Sequence, residues 1–260
     1  MLEAIITLSS VGFIAGCGLL YAAKKFVVIK DENILKINEM LPGANCGGCG
    51  YPGCLSLAEA IVNRKASPTA CPIGGMELAK NIGVILGLEI ADVGKKVARV
   101  KCRGTVDKCP LKYDYMGPGD CHSIVMLAGG NKLCSYGCVG GGSCVISCNF
   151  DAIYMSDQDI PIVKIDKCTS CGMCVKACPR DIIELTDVSK SFFVTCRSND
   201  KGAIVRKICS IGCIGCGLCV KKCPENAIIL ENNLAKILSE KCTNCGICKE
   251  VCPTKSIAKF

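Results

Sequence analysis

Histidine is nearly missing from this chain, with one copy at position 122 among 260 residues, and tryptophan is absent. A single imidazole restricts any Ser–His–Asp arrangement to His122. Aspartate and glutamate are scattered, with no close pair suited to acid–base work. The glycine run Gly140 to Gly142 lacks the strand-to-helix setting of a phosphate cradle, and no flavin or nicotinamide fingerprint is present. These absences exclude a bond-making catalytic site built from side chains. Any chemistry has to come from bound groups.

What the chain has instead is cysteine, 26 residues of it. That density ordinarily marks a disulfide scaffold, but such scaffolds are short, secreted and irregularly spaced. Here the cysteines fall into tight groups. Residues 209–223 read CSIGCIGCGLCVKKC before Pro224, residues 242–252 read CTNCGICKEVC before Pro253, and CTSCGMCVKACP occupies 168–179. The run C-x2-C-x2-C-x3-C-P holds 4Fe–4S clusters in two-cluster bacterial ferredoxins, its fourth cysteine reaching the neighbouring cluster. Zinc, the competing metal, accounts for pairs of C-x2-C but not for three-thiolate runs closed by a fourth cysteine and a proline. The pattern is that of an electron carrier. Cluster assembly needs reduced thiolates, which places the cysteine-rich part on the cytoplasmic side.

The formal charge of +8 suggests nucleic acid only until the cofactors are counted. An oxidised 4Fe–4S core with four thiolates adds about −2, so five sites bring the total to roughly −2 and six to roughly −4. No nucleic-acid partner is expected.

Residues Ala4 to Ala23 (AIITLSSVGFIAGCGLLYAA) carry no charge. A helix of that length spans about 30 Å, the hydrocarbon thickness of a bilayer. Gly12 and Gly16 form a G-x3-G suited to packing on a partner helix, and Lys24, Lys25 and Lys30 follow at once, as on a cytoplasmic flank. A cleaved signal peptide fits less well, because the only early charge is Glu3 and no small-residue cleavage site precedes Lys24. We expect a single-pass anchor in the cytoplasmic (inner) membrane, with the soluble domains on the cytoplasmic side. Cys17, inside it, has no cysteine neighbour in the sequence and reads as a small apolar residue.

After the anchor, Cys46, Cys49, Cys54 and Cys71 are spaced C-x2-C-x4-C-x16-C. The glycines around Cys46 and Cys49 let the backbone wrap a cluster closely, while a helix is expected over 55–62 with Cys54 at its N-terminus and a second over 76–88. One 4Fe–4S cluster is expected, with a zinc knot as the alternative. The uncharged anchor, then PGANCGGCGYPGC with Cys71 downstream, then the ferredoxin-type repeats, resembles the B subunits of Rnf complexes over the whole chain. Such membrane complexes couple oxidation of reduced ferredoxin and NAD reduction to ion translocation. The resemblance implies a translocase component whose partners are soluble ferredoxin and the complex's other membrane subunits. A free-standing polyferredoxin and a zinc-rich interaction protein are the rival readings.

An internal repeat organises the remainder. ARVKC at 98–102 echoes FFVTC at 192–196, and CSYGCVGGGSCVISC at 134–148 aligns without a gap on CSIGCIGCGLCVKKC at 209–223. Crossed ferredoxin ligation then groups Cys213, Cys216 and Cys219 with Cys252, Cys242, Cys245 and Cys248 with Cys223, and Cys168, Cys171 and Cys174 with Cys148. The fourth group is incomplete. Cys138, Cys144 and Cys178 meet Gly141 where a cysteine is due. Cys134 is the nearest replacement, although its counterpart Cys209 is surplus. Cys102, Cys109 and Cys121 lie in an insert over 103–133 or at its edge; they either complete that site or form a sixth cluster with Cys134. His122 is expected to be exposed. The expected fold is α+β: an anchor (1–30), a small helical 4Fe–4S module (31–95), and two ferredoxin-like, two-cluster domains (96–190, with the insert, and 191–260), carrying five clusters and a sixth in question.

Overall fold

The computed structural model describes residues 12, 13, 16–21, 31–91 and 94–260. The expected anchor over 4–23 lies largely outside them; its described positions 12–13 and 16–21 are helical, and Phe13, Leu19 and Leu20 are exposed. Among the described residues no helix is long and apolar enough to cross a membrane.

Three helices build the first unit. Helix α1 (Glu32–Met40) starts where the Asp31 carboxylate accepts the Asn33 N–H at 2.9 Å, taking up one of the donors left open at a helix start. Helix α2 (Cys54–Val62) begins directly at a cysteine, and α3 (Gly75–Leu86) ends on Gly87 in the left-handed conformation. Apolar residues recur at helical spacing, so Ile37, Leu57, Ile61 and Ile82 meet in one core, with Cys71 at its edge.

Two units of like topology follow. In the first, β1 (Lys96–Val100) pairs antiparallel with β4 (Ile183–Asp187), enclosing a hairpin of β2 (Ile153–Met155) and β3 (Pro161–Val163). In the second, β5 (Phe192–Val194) pairs with β8 (Ile257–Lys259) around the hairpin of β6 (Ile228–Glu231) and β7 (Leu234–Ile237). Each sheet has only two strands, too few to bury a face by itself. The insert adds α4 (Cys121–Met126), capped by Asp120, whose carboxylate accepts the His122 and Ser123 N–H groups. Helix α7 (Gly202–Ile208) belongs to the second unit.

Four very short helices carry the third cysteine of each run. These are α5 (Ser143–Ile146), α6 (Met173–Lys176), α8 (Leu218–Lys222) and α9 (Ile247–Glu250). Each is preceded by a glycine at positive φ, namely Gly142, Gly172, Gly217 and Gly246, between 69° and 84°. That conformation is open to glycine and costly for residues with a Cβ, and it turns the chain back so that successive sulfurs face one point. Cysteines make up much of both cores. Cys138, Cys144, Cys168 and Cys174 pack with Val97, Ile153 and Ile183, and Cys196, Cys213, Cys219 and Cys248 pack with Val194, Ile228 and Ile257.

The two units are joined by direct contacts. Arg99, only 4% exposed, stacks over Phe193 at 5.3 Å and Phe260 at 5.5 Å. Arg103 donates to Thr195 Oγ1 at 3.0 Å and to the Lys255 carbonyl. These contacts tie the two units together, while their cores remain separate.

Ile82 is fully enclosed among the three helices, so Ile82→Ala is expected to destabilise this unit by about 2–5 kcal/mol through lost packing and a residual cavity. Anaerobic thermal unfolding checks this; an unchanged transition would show that the three helices do not share a core.

Candidate metal centres

All 26 cysteines are free thiols. In the second unit Cys213, Cys216, Cys219 and Cys252 line one cavity, and Cys223, Cys242, Cys245 and Cys248 line another. In the first unit Cys174 has Cys171, Cys168 and Cys148 among its charge neighbours. In the three-helix unit Cys71 faces Cys54 and Cys49. There a Cβ built on Gly48 would lie 3.6 Å from Cys46 Sγ and 3.4 Å from Pro72 Cγ, which brings the loop carrying Cys46 against the residue that follows Cys71. The Asn45 side chain accepts the Cys54 N–H at 2.8 Å, tying the glycine-rich loop to the start of α2.

The incomplete group gains a fourth cysteine from the insert. Cys121, Cys138, Cys144 and Cys178 line one cavity. Its origin is steric. A Cβ at Gly141 would lie 2.7 Å from the Cys121 backbone nitrogen and 2.8 Å from the Asp120 carbonyl carbon, so the insert occupies the space a side chain would need. Ser143 Oγ accepts the Cys121 N–H at 2.9 Å and holds α4 there. Cys121 thus brings to this cavity, from a distant loop, a sulfur that position 141 lacks. Its neighbour His122 is exposed.

Cys134, the nearest replacement by sequence, does not take that place. It lines a separate cavity between the two units with Cys102, Cys109, Cys196 and Cys209. Cys196 and Cys209 had no role from motif spacing. The signal that marks them is the repeat itself, which matches Cys102 to Cys196 and Cys134 to Cys209.

Among the described residues no group of three or more His, Cys, Asp or Glu is spaced to hold a single metal ion. The cysteine sets stand around cavities, as the ligands of a cubane of iron and sulfide do. Three of these cavities are each lined by four cysteines, the number that holds a 4Fe–4S cluster. Backbone N–H groups are aimed at the sulfurs: Ala98 to Cys168 at 3.4 Å, Ala227 to Cys223 at 3.3 Å and Ser256 to Cys252 at 3.3 Å. Such bonds stabilise a thiolate and tune a bound cluster.

Electrostatics point the same way. Burial first, then the neighbouring thiols, push Cys138 and Cys174 up to about 12. The same causes push Cys144, Cys219 and Cys248 up to about 11. Without positive charge in the cavity these sulfurs stay protonated at neutral pH; bound iron supplies that charge and displaces the protons.

Residues 41–73 match the family described as a putative Fe-S cluster, and residues 137–182 and 212–256 match a 4Fe-4S dicluster domain. A second dicluster family matches 167–228. The chain is similar to the B subunit of the Na(+)-translocating ferredoxin:NAD(+) oxidoreductase complex of Acetobacterium woodii, 48% identical over 87% of this chain and 68% of that protein. The B subunit of the ion-translocating oxidoreductase complex of Methanosarcina acetivorans is 43% identical over 91% of this chain and 90% of its own. The B subunit of the proton-translocating ferredoxin:NAD(+) oxidoreductase complex of Clostridium ljungdahlii is 39% identical over 90% and 82%. These relatives differ in the ion named, so similarity to them does not select sodium or protons.

Cys121→Ser is expected to remove one cluster, lowering iron by about four atoms per chain while the remaining sites stay filled. Iron analysis of anaerobically prepared protein checks this. Unchanged iron would exclude Cys121 as a ligand.

Proposed function

This chain belongs to the B-subunit family of ion-translocating ferredoxin:NAD oxidoreductase (Rnf) complexes, and we propose that it relays electrons from soluble reduced ferredoxin to membrane partners. The observation that carries this reading is the order of the cysteine sites. A Cβ on Gly48 would lie 3.1 Å from Cys171 Cβ, so the three-helix unit's site abuts the one lined by Cys148, Cys168, Cys171 and Cys174. Cys174 in turn neighbours Cys144 of the site that Cys121 joins. In the second unit Cys216 and Cys245 are the exposed ligand positions.

The ligands we assign are Cys46, Cys49, Cys54 and Cys71; Cys148, Cys168, Cys171 and Cys174; Cys121, Cys138, Cys144 and Cys178; Cys213, Cys216, Cys219 and Cys252; and Cys223, Cys242, Cys245 and Cys248. Bound 4Fe–4S clusters supply one-electron redox chemistry at these positions. The chain's residues hold them, exclude water and direct N–H groups at sulfur. The exposed cysteines of the second unit mark where a soluble ferredoxin docks, and the three-helix unit, next along the chain from the uncharged segment over 4–23, faces the membrane partner. That segment anchors the chain in the cytoplasmic membrane.

Cys46→Ser or Cys54→Ser is expected to abolish electron delivery to the membrane partners while oxidation of reduced ferredoxin by the chain persists. If both activities survived, the proposed order would be wrong. Iron with an equal content of acid-labile sulfide is expected, about four of each per site. Zinc without sulfide would overturn the electron-transfer reading.

A further inference from the structure

A guanidinium is buried beside one of the assigned cysteine sets. Arg99 lies on β1 next to Ala98, whose N–H donates to Cys168 Sγ at 3.4 Å. Its Nε is buried and has no hydrogen-bond partner. Among the described residues no carboxylate forms an ion pair with it. Glu184 is its register partner across the sheet, but that carboxylate is engaged by the Lys101 ammonium at 3.0 Å. From the second unit, Phe193 and Phe260 stack with ring centroids 4.3 Å apart and cover the guanidinium.

A charge in such a place is costly unless something negative compensates it. Arginine does not shed its proton to escape that cost. Burial lowers the pKa of the guanidinium, and the Cys168 sulfur opposes that shift. Aromatic faces offset only a small part of a desolvated charge. The negative charge that matches Arg99 is that of a cluster on Cys148, Cys168, Cys171 and Cys174, about −2 when oxidised and about −3 when reduced. The repeat sharpens the contrast. ARVKC at 98–102 matches FFVTC at 192–196, so Phe193 holds the position of Arg99 in the second unit. The strand beside the corresponding site, where Cys242 replaces Cys168, reads FFV and carries no charge.

We propose that Arg99 sets the reduction potential of the cluster held by Cys148, Cys168, Cys171 and Cys174, raising it by favouring the more negative, reduced state. Both units take part. The first supplies the charge, and the aromatic pair of the second keeps water from it, so that the charge acts through a poorly screening medium. In the relay, the site against Gly48 becomes a stronger electron acceptor, which draws electrons toward the three-helix unit. The inference rests on the chain being an electron relay.

The test is an anaerobic redox titration followed by EPR, with iron analysis, on the full chain and on Arg99→Met and Arg99→Lys. The signal to follow is the one that Cys171→Ser alters. Arg99→Met is expected to move that signal to lower potential while the other signals and the iron content stay unchanged; Arg99→Lys is expected to titrate near the wild type. An unmoved signal in Arg99→Met would overturn the proposal. So would an equal shift in Arg99→Lys, because packing rather than charge would then be the cause. If Arg99→Met loses iron, Phe193→Leu decides, since it keeps the charge and opens it to water. The same signal is then expected to move down by a smaller amount, and a fixed signal would overturn the proposal. All these outcomes leave the proposed function standing; absence of any cluster signal on reduction would sink that reading itself.

Discussion

Cysteine sulfur buried where aliphatic carbon would ordinarily sit is the constraint on which the rest of this structure depends. Each ferredoxin-like unit has two-stranded sheets and helices of a turn or so, which leave little apolar surface to pack. The cores are completed by thiols whose ionisation burial opposes. Bound iron both fills the space and supplies the missing charge. Folding and cluster insertion are therefore two descriptions of one event in these units. The three-helix unit differs, because Ile37, Leu57, Ile61 and Ile82 form an aliphatic core with its cysteines at the edge.

The same constraint shapes the backbone. A glycine at positive φ before the third cysteine of each run lets the chain reverse around the sulfurs. Where the first unit has Gly141 in place of a cysteine, the gap is taken up by the backbone of Asp120 and Cys121, and α4 brings the sulfur. The long insert therefore restores four cysteines to one cavity while leaving Cys102, Cys109 and Cys134 to face the second unit.

Membership of the B-subunit family agrees with the 4Fe-4S domains found along the chain. The relatives include members of a sodium- and of a proton-translocating complex.

The cysteines that motif spacing groups in the intact runs of the second unit line common cavities, because C-x2-C-x2-C places three sulfurs within one loop and the symmetry of the repeat names the fourth. The helices expected over 55–62 and 76–88 were equally legible, being set by local periodicity, and they run over 54–62 and 75–86. The partner of Cys138, Cys144 and Cys178 was not. Cys134 is near in sequence and Cys121 is not, and only tertiary packing, the insert's backbone lying against Gly141, decides between them. Cys196 and Cys209 likewise had no motif, since the cavity they line exists only once two units from distant parts of the chain are placed side by side. Local spacing determines a site when one loop supplies its ligands. When the sulfurs come from separate units, no pattern along the chain records their meeting, and the fold has to bring them together first.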